Sequence, residues 1–154
     1  CMIVYRLSKS KYSSDLTGKG AEKTGGRWNS KGTSMIYTSD SRALCTAEIA
    51  VHTPLGILPF NYEIITLEIP DKVKMEVLNK NQWPEDWRLF PHPHSTQQIG
   101  DAFVSSSKAL VLKVPSAAVQ GEFNYLITPL HQDIKLVEII SVESFNFDLR
   151  LFVK

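Results

Sequence analysis

Four prolines set the scale of everything this chain can build. Pro54, Pro70, Pro115 and Pro129 each stand at or near the end of an apolar or helix-forming run, and proline neither continues a helix nor donates to a strand ladder. The elements between them are therefore short. Ile3 to Leu7, Met35 to Thr38, Tyr62 to Ile69, Lys108 to Val114 and Ile134 to Val142 read as strands, and Asn124 to Ile127 leads as another apolar run into Pro129. Ala43 to His52 reads as a helix capped by Ser39 or Asp40 and stopped near Thr53, with Leu44, Ala47, Glu48 and Val51 on one face. A second helix is expected after Ser95, which with Gln98 resembles a capping box, and Ile99, Ala102 and Phe103 would form its buried face. Asp71 to Asn81 reads as a short helix or loop. The segment QWPEDWRLFPHPH, with two tryptophans and three prolines, reads as an ordered irregular cover. Strands outnumber long helices without alternating with them, so the expected class is α+β, a compact mixed sheet with helices.

Composition limits the remaining choices. With 154 residues, 43% of them hydrophobic, the chain is expected to form one domain spanning residues 1–154. Seventeen basic against sixteen acidic groups leave a net charge of +1, which argues against a dedicated nucleic-acid surface. Cys1 and Cys45 are too few for a disulfide framework. No apolar run reaches the roughly 18 residues of a membrane span, and the opening CMIVYRL does not read as a leader. The expectation is a cytoplasmic protein with no membrane partner.

The stretch from Gly25 to Glu48, GGRWNSKGTSMIYTSDSRALCTAE, concentrates the chemistry. The glycines allow close backbone approach. The planar fork of Arg27 suits a phosphate or carboxylate clamp, or equally a structural salt bridge. Asn29 can contact a ribose or amide, or simply close a turn. Tyr37 can stack on a planar ligand or be a half-buried strand residue. Glu48, among apolar neighbours, needs a task or a partner, and Arg6 on the first strand is one candidate. One of Ser105, Ser106 and Ser107 can enter a cleft or close a helix end. Asn124 in NYLITP can serve a functional site or simply make local hydrogen bonds. The histidines His52, His92, His94 and His131 lack a metal-ligand framework, no metal is expected, and Cys45 reads as a core thiol. Neither a dinucleotide-binding G-x-G-x-x-G nor a phosphate-loop motif is present.

The combination of YRL at 5–7, GGRWNSKG at 25–32, IYTSDS at 36–41, Ala47-Glu48, TQQIGD at 96–101, VPSAAV at 114–119 and NYLITPLH at 124–131 resembles the RES-domain proteins, the toxin members of RES–Xre toxin–antitoxin pairs. The resemblance implies an ADP-ribosyltransferase-like RES fold with an NAD cleft. NAD would be the substrate, cleaved by hydrolysis or phosphorolysis with inorganic phosphate. Some relatives modify a protein by ADP-ribosylation. The family's Arg-Tyr-Glu set falls on Arg27, Tyr37 and Glu48, with Arg6, Asn29 and Ser106 as further cleft residues. An Xre-like antitoxin in an oligomeric toxin–antitoxin complex is the implied partner. A catalytically silent nucleotide-binding module is the alternative from a different class.

Overall fold

The computed structural model describes residues 1–54 and 56–152. Seven strands form one sheet: β1 (Met2–Lys9), β2 (Ile36–Ser39), β3 (Tyr62–Ile69), β4 (Met75–Val77), β5 (Val111–Pro115), β6 (Phe123–Ile127) and β7 (Glu138–Phe145). Their spatial order is β4-β5-β6-β2-β1-β3-β7, antiparallel throughout except for the parallel pair β4 and β5. Among the described residues three α-helices accompany them: α1 (Lys19–Thr24), α2 (Arg42–His52) and α3 (His94–Ser106). This is the expected α+β architecture.

Side-chain alternation along the strands divides the interior in two. Val4, Ile36, Ile65, Leu67, Val111 and Ile127 form one cluster; Trp28, Met35, Phe103, Leu112, Val114 and Leu126 form the other, with Tyr37 packed against it. Successive strand residues point to opposite faces, so Ile36 and Tyr37 necessarily serve different layers. In β2, Tyr37 lies opposite Leu126 of β6 and Ser39 opposite Asn124. Tyr37, Ser39 and Asn124 are thereby delivered to one side of the sheet.

Several local expectations shift. The Lys9–Gly26 loop contains the helix α1, and a short strand, β4, occupies part of the 71–81 segment. The cap of α2 is Ser41, whose hydroxyl accepts from the Leu44 amide at 3.0 Å, one residue beyond Asp40. The packed face of α2 holds Leu44, as expected, and Cys45, whereas Val51 of the expected stripe is 62% exposed. In α3 the buried residues are Thr96, Gly100, Phe103 and Val104, and Ala102 is exposed. Ser95 makes no helix cap; its hydroxyl donates to Asp86 at 2.5 Å and ties α3 to the irregular 82–93 segment. The last strand starts at Glu138, after a 3-10 turn over Gln132–Leu136. No helix among the described residues is long and apolar enough to cross a membrane.

Candidate active site

The loop between α1 and β2 is held in place by a buried bracket. Asn29 is fully buried, and its amide donates to the carbonyls of Ala21 and Thr33, both at 2.9 Å. Its Oδ1 accepts a short hydrogen bond from the Tyr37 hydroxyl, which in turn accepts from the Trp28 amide at 3.1 Å. A Cβ on Gly26 would sit 2.7 Å from that hydroxyl, so the second glycine of the pair is required for Tyr37 to lie under the loop. Helix α3 clamps the same loop from the other side. Thr96 donates to the Arg27 carbonyl at 2.6 Å, Gln97 to the Gly26 carbonyl at 3.0 Å, and Asp101 accepts from both the amide and the hydroxyl of Ser30.

Arg27 is aimed by the irregular segment: its Nη1 donates to the carbonyls of Trp87 at 2.6 Å and Leu89 at 2.9 Å. Those contacts use one guanidinium nitrogen and leave Nε and Nη2 for another acceptor. Burial lowers the Arg27 pKa from its ordinary value, with Glu48 opposing that change and Arg88 adding to it. Tyr37 is half-buried, and desolvation of its hydroxyl pushes the phenol well above the ordinary range.

Glu48, on α2, reaches across to the ends of β5 and β6. Its Oε1 accepts from the Ser116 hydroxyl at 2.7 Å and from the Asn124 amide at 2.9 Å. Ser116 also accepts from the amides of Ala118 and Val119, which occupies its lone pairs and directs its hydrogen to Glu48. Asn124 is oriented by Ser39, which donates to its Oδ1 at 2.7 Å. Among the described residues no cation lies within ion-pair distance of Glu48, and Oε2 receives no hydrogen bond from the protein. The partner that the carboxylate required is thus a neutral pair of donors, and Arg6 is not that partner.

These groups border one cleft of about 450 Å³, lined by Gly25, Gly26, Arg27, Tyr37, Glu48, Asn124, His52 and His92 among others. Arg6 is outside that lining and borders two smaller recesses of about 130 and 170 Å³, both also touching Tyr37 and the first also touching Glu48. Burial lowers its pKa and Asp15 opposes the effect. Asn29 sits outside the cleft lining, with its amide committed to the bracket. Ser106 also lies elsewhere, at the end of α3, where its hydroxyl donates to the Phe103 carbonyl at 3.0 Å. Ser116 and Asn124 are the polar neighbours of Glu48 that local periodicity could not single out; their signal was the pair of motifs VPSAAV and NYLITP, 68 and 76 residues away from Glu48. Cys45 donates its thiol to the Tyr5 carbonyl at 3.2 Å, and desolvation raises its pKa to about 11, as suits a core thiol. His92 packs against His52 at 5.8 Å between ring centroids, and burial, Arg27 and His52 lower its pKa. No group of three His, Cys, Asp or Glu side chains fit to hold a metal ion occurs among the described residues.

Comparison with known proteins gives the family. The model of the RES domain family matches residues 3–150. Toxin Res of Yersinia enterocolitica is 38% identical over 152 residues, covering 97% of this chain and 99% of its own. The Prs ADP-ribosylating toxin of Sphingobium sp. is 37% identical over 142 residues, covering 91% of this chain and 88% of its own. The crystal structure of the M. tuberculosis MbcT–MbcA toxin–antitoxin complex contains a chain that superposes with a TM-score of 0.75 at 20% identity, over 94% of this chain and 84% of that one, a likeness of fold. With its family model matched almost end to end and curated toxins aligned over nearly their full length, the chain belongs to the RES-domain family and is a homologue of the Res toxins.

Proposed function

We propose that this protein is a toxin that cleaves the bond between nicotinamide and ribose in NAD and transfers ADP-ribose to water or inorganic phosphate. The observation that carries this reading is the meeting of Arg27, Tyr37 and a positioned Glu48 in one cleft. Arg27 would hold the pyrophosphate through its free donors, and the Tyr37 ring would pack against the nicotinamide. Glu48, held through Oε1, would orient the ribose and stabilise the positive charge that develops on it as the bond breaks. The bonding electrons leave with nicotinamide, a new C–O bond forms to the acceptor, and the acceptor's proton passes to solvent. Arg6 would contribute from the neighbouring recess. An Xre-like antitoxin covering the cleft in an oligomeric complex would silence the toxin, a proposal in keeping with the fold shared with the MbcT–MbcA complex.

A second reading, protein ADP-ribosylation, is favoured by the 37% identity to a relative named as an ADP-ribosylating toxin. One assay separates the two. Purified protein is incubated with NAD, with and without phosphate, and nicotinamide and ADP-ribose products are measured by mass. Release with ADP-ribose or its phosphorylated form supports NAD degradation. Release only in the presence of a cellular protein that gains ADP-ribose mass supports the second reading. A folded protein that releases no nicotinamide in any of these mixtures overturns both.

A further inference from the structure

Beside the cleft, and sharing Arg27, Glu48, His52 and Ala117 with it, lies a second recess of about 210 Å³ whose outer wall is Val51, Arg88, Phe90 and Ala118. Two guanidinium groups border it. Among the described residues neither has a carboxylate within ion-pair distance. The acidic neighbour Asp86 is occupied by the Ser95 hydroxyl. Glu48 is the one carboxylate on the wall, and its Oε1 is already spent on Ser116 and Asn124. The cations therefore outnumber the anion.

Trp87 organises both cations. Its carbonyl holds Arg27 Nη1, and the Arg88 guanidinium lies 5.8 Å from its ring centroid. The indole packs on Trp83 at 5.2 Å, and Trp83 is anchored by its Nε1 donating to the Leu78 carbonyl at 3.1 Å. A chain of contacts thus runs from the core cluster that contains Leu78 to both guanidiniums. Bringing like charges together on a supported wall costs energy unless a multivalent anion joins them, and planar forks match phosphate oxygens.

We propose that the recess between Arg27 and Arg88 binds a phosphate group, and that Arg88 is a ligand-binding residue of this site. The phosphate is either free inorganic phosphate, the acceptor of phosphorolysis, or part of the dinucleotide pyrophosphate; the identification of these two sources rests on the proposed NAD chemistry.

The test is a binding titration of the purified protein with inorganic phosphate alone and with ADP-ribose alone, by calorimetry or phosphorus NMR, repeated on Arg88→Gln and Arg88→Lys. Arg88 is exposed, so neither variant disturbs the core. Arg88→Gln is expected to weaken binding about tenfold or more through loss of charge-assisted hydrogen bonds, and Arg88→Lys, which keeps the charge and loses the fork, to fall between. Weakening confined to inorganic phosphate identifies the acceptor; weakening confined to ADP-ribose identifies the pyrophosphate; weakening of both shows that the recess serves either source. Equal affinities in parent and Arg88→Gln, or no binding of either probe to the parent, overturn the proposal. Binding is read without turnover, so Arg88-dependent phosphate binding in a protein that releases no nicotinamide would retain the site and discard the NAD-cleavage reading.

Discussion

Replacing Gly100 by alanine tests how the fold supports the cleft. A Cβ at this position would lie 1.5 Å from the Trp28 carbonyl oxygen and 2.6 Å from its carbon, where ordinary contact begins at 3.4 Å. Helix α3 and the 26–30 loop must then separate by about 2 Å, since both contacting groups are backbone. The hydrogen bonds from Thr96 to Arg27, from Gln97 to Gly26 and from Ser30 to Asp101 all cross this boundary, at 2.6–3.0 Å, and do not survive such a displacement. Overpacking costs about 1–3 kcal/mol, and breaking hydrogen bonds to the Asp101 carboxylate adds about 1.5–3 kcal/mol. For a chain of this size a loss of about 4 kcal/mol lowers the melting temperature by roughly 10 °C. Circular dichroism melts would measure it against Gly20→Ala on α1, where a Cβ meets nothing within 4 Å and alanine should stabilise by about 0.5–1 kcal/mol. A Gly100→Ala protein melting within about 2 °C of the parent would refute the reasoning.

The remaining predictions concern individual side chains. Glu48→Gln preserves an acceptor for Ser116 and Asn124, so it should melt like the parent while nicotinamide release falls about a hundredfold or more; a normally folded variant with full activity removes Glu48 from the mechanism. Tyr37→Phe strips the hydroxyl that joins Trp28 to Asn29 and should cost about 2–3 kcal/mol in urea unfolding, whereas an unchanged midpoint would mean that the bracket is not structural. Because the folded-state pKa of Tyr37 is raised above its ordinary 10.0, the stability tied to its proton is fully present below pH 10 and is lost as pH rises beyond it, by up to about 1.4 kcal/mol per unit; urea midpoints measured from pH 9 upward should fall more steeply in the parent than in Tyr37→Phe. Cys45, buried and with its pKa at about 11, should resist a thiol reagent at pH 8 until the protein unfolds, while exposed Cys1 reacts at once. Two equally fast thiols would contradict the burial of Cys45.

Local chemistry in the sequence was sufficient for most of the short strands, for a helix from Ala43 to His52 that the structure begins at Arg42, and for the suspicion attached to Arg27, Tyr37 and Glu48, because proline punctuation and alternation act over a few residues; β4 gave no such signal. The combination of motifs then carried the family resemblance across nearly the whole chain, and the family match over residues 3–150 agrees with it. Local chemistry could not assign partners. Asn29 looked available for a ligand, yet the fold closes Ala21, Thr33 and Tyr37 around it and consumes its hydrogen-bonding capacity. Ser106 and Ser116 are equally ordinary as residue types; only the arrival of β5 and β6 beside α2 gives Ser116 a carboxylate to hold and leaves Ser106 closing a helix end. Gly100 carried no local signal beyond its place in the TQQIGD motif, because the need for hydrogen in place of a Cβ is set by a backbone 72 residues earlier in the chain. Sequence alone determined most of the elements and the residue types that can do chemistry. Tertiary structure decided which of them meet, since hydrogen bonds and close contacts depend on distances in space that chain separation does not encode.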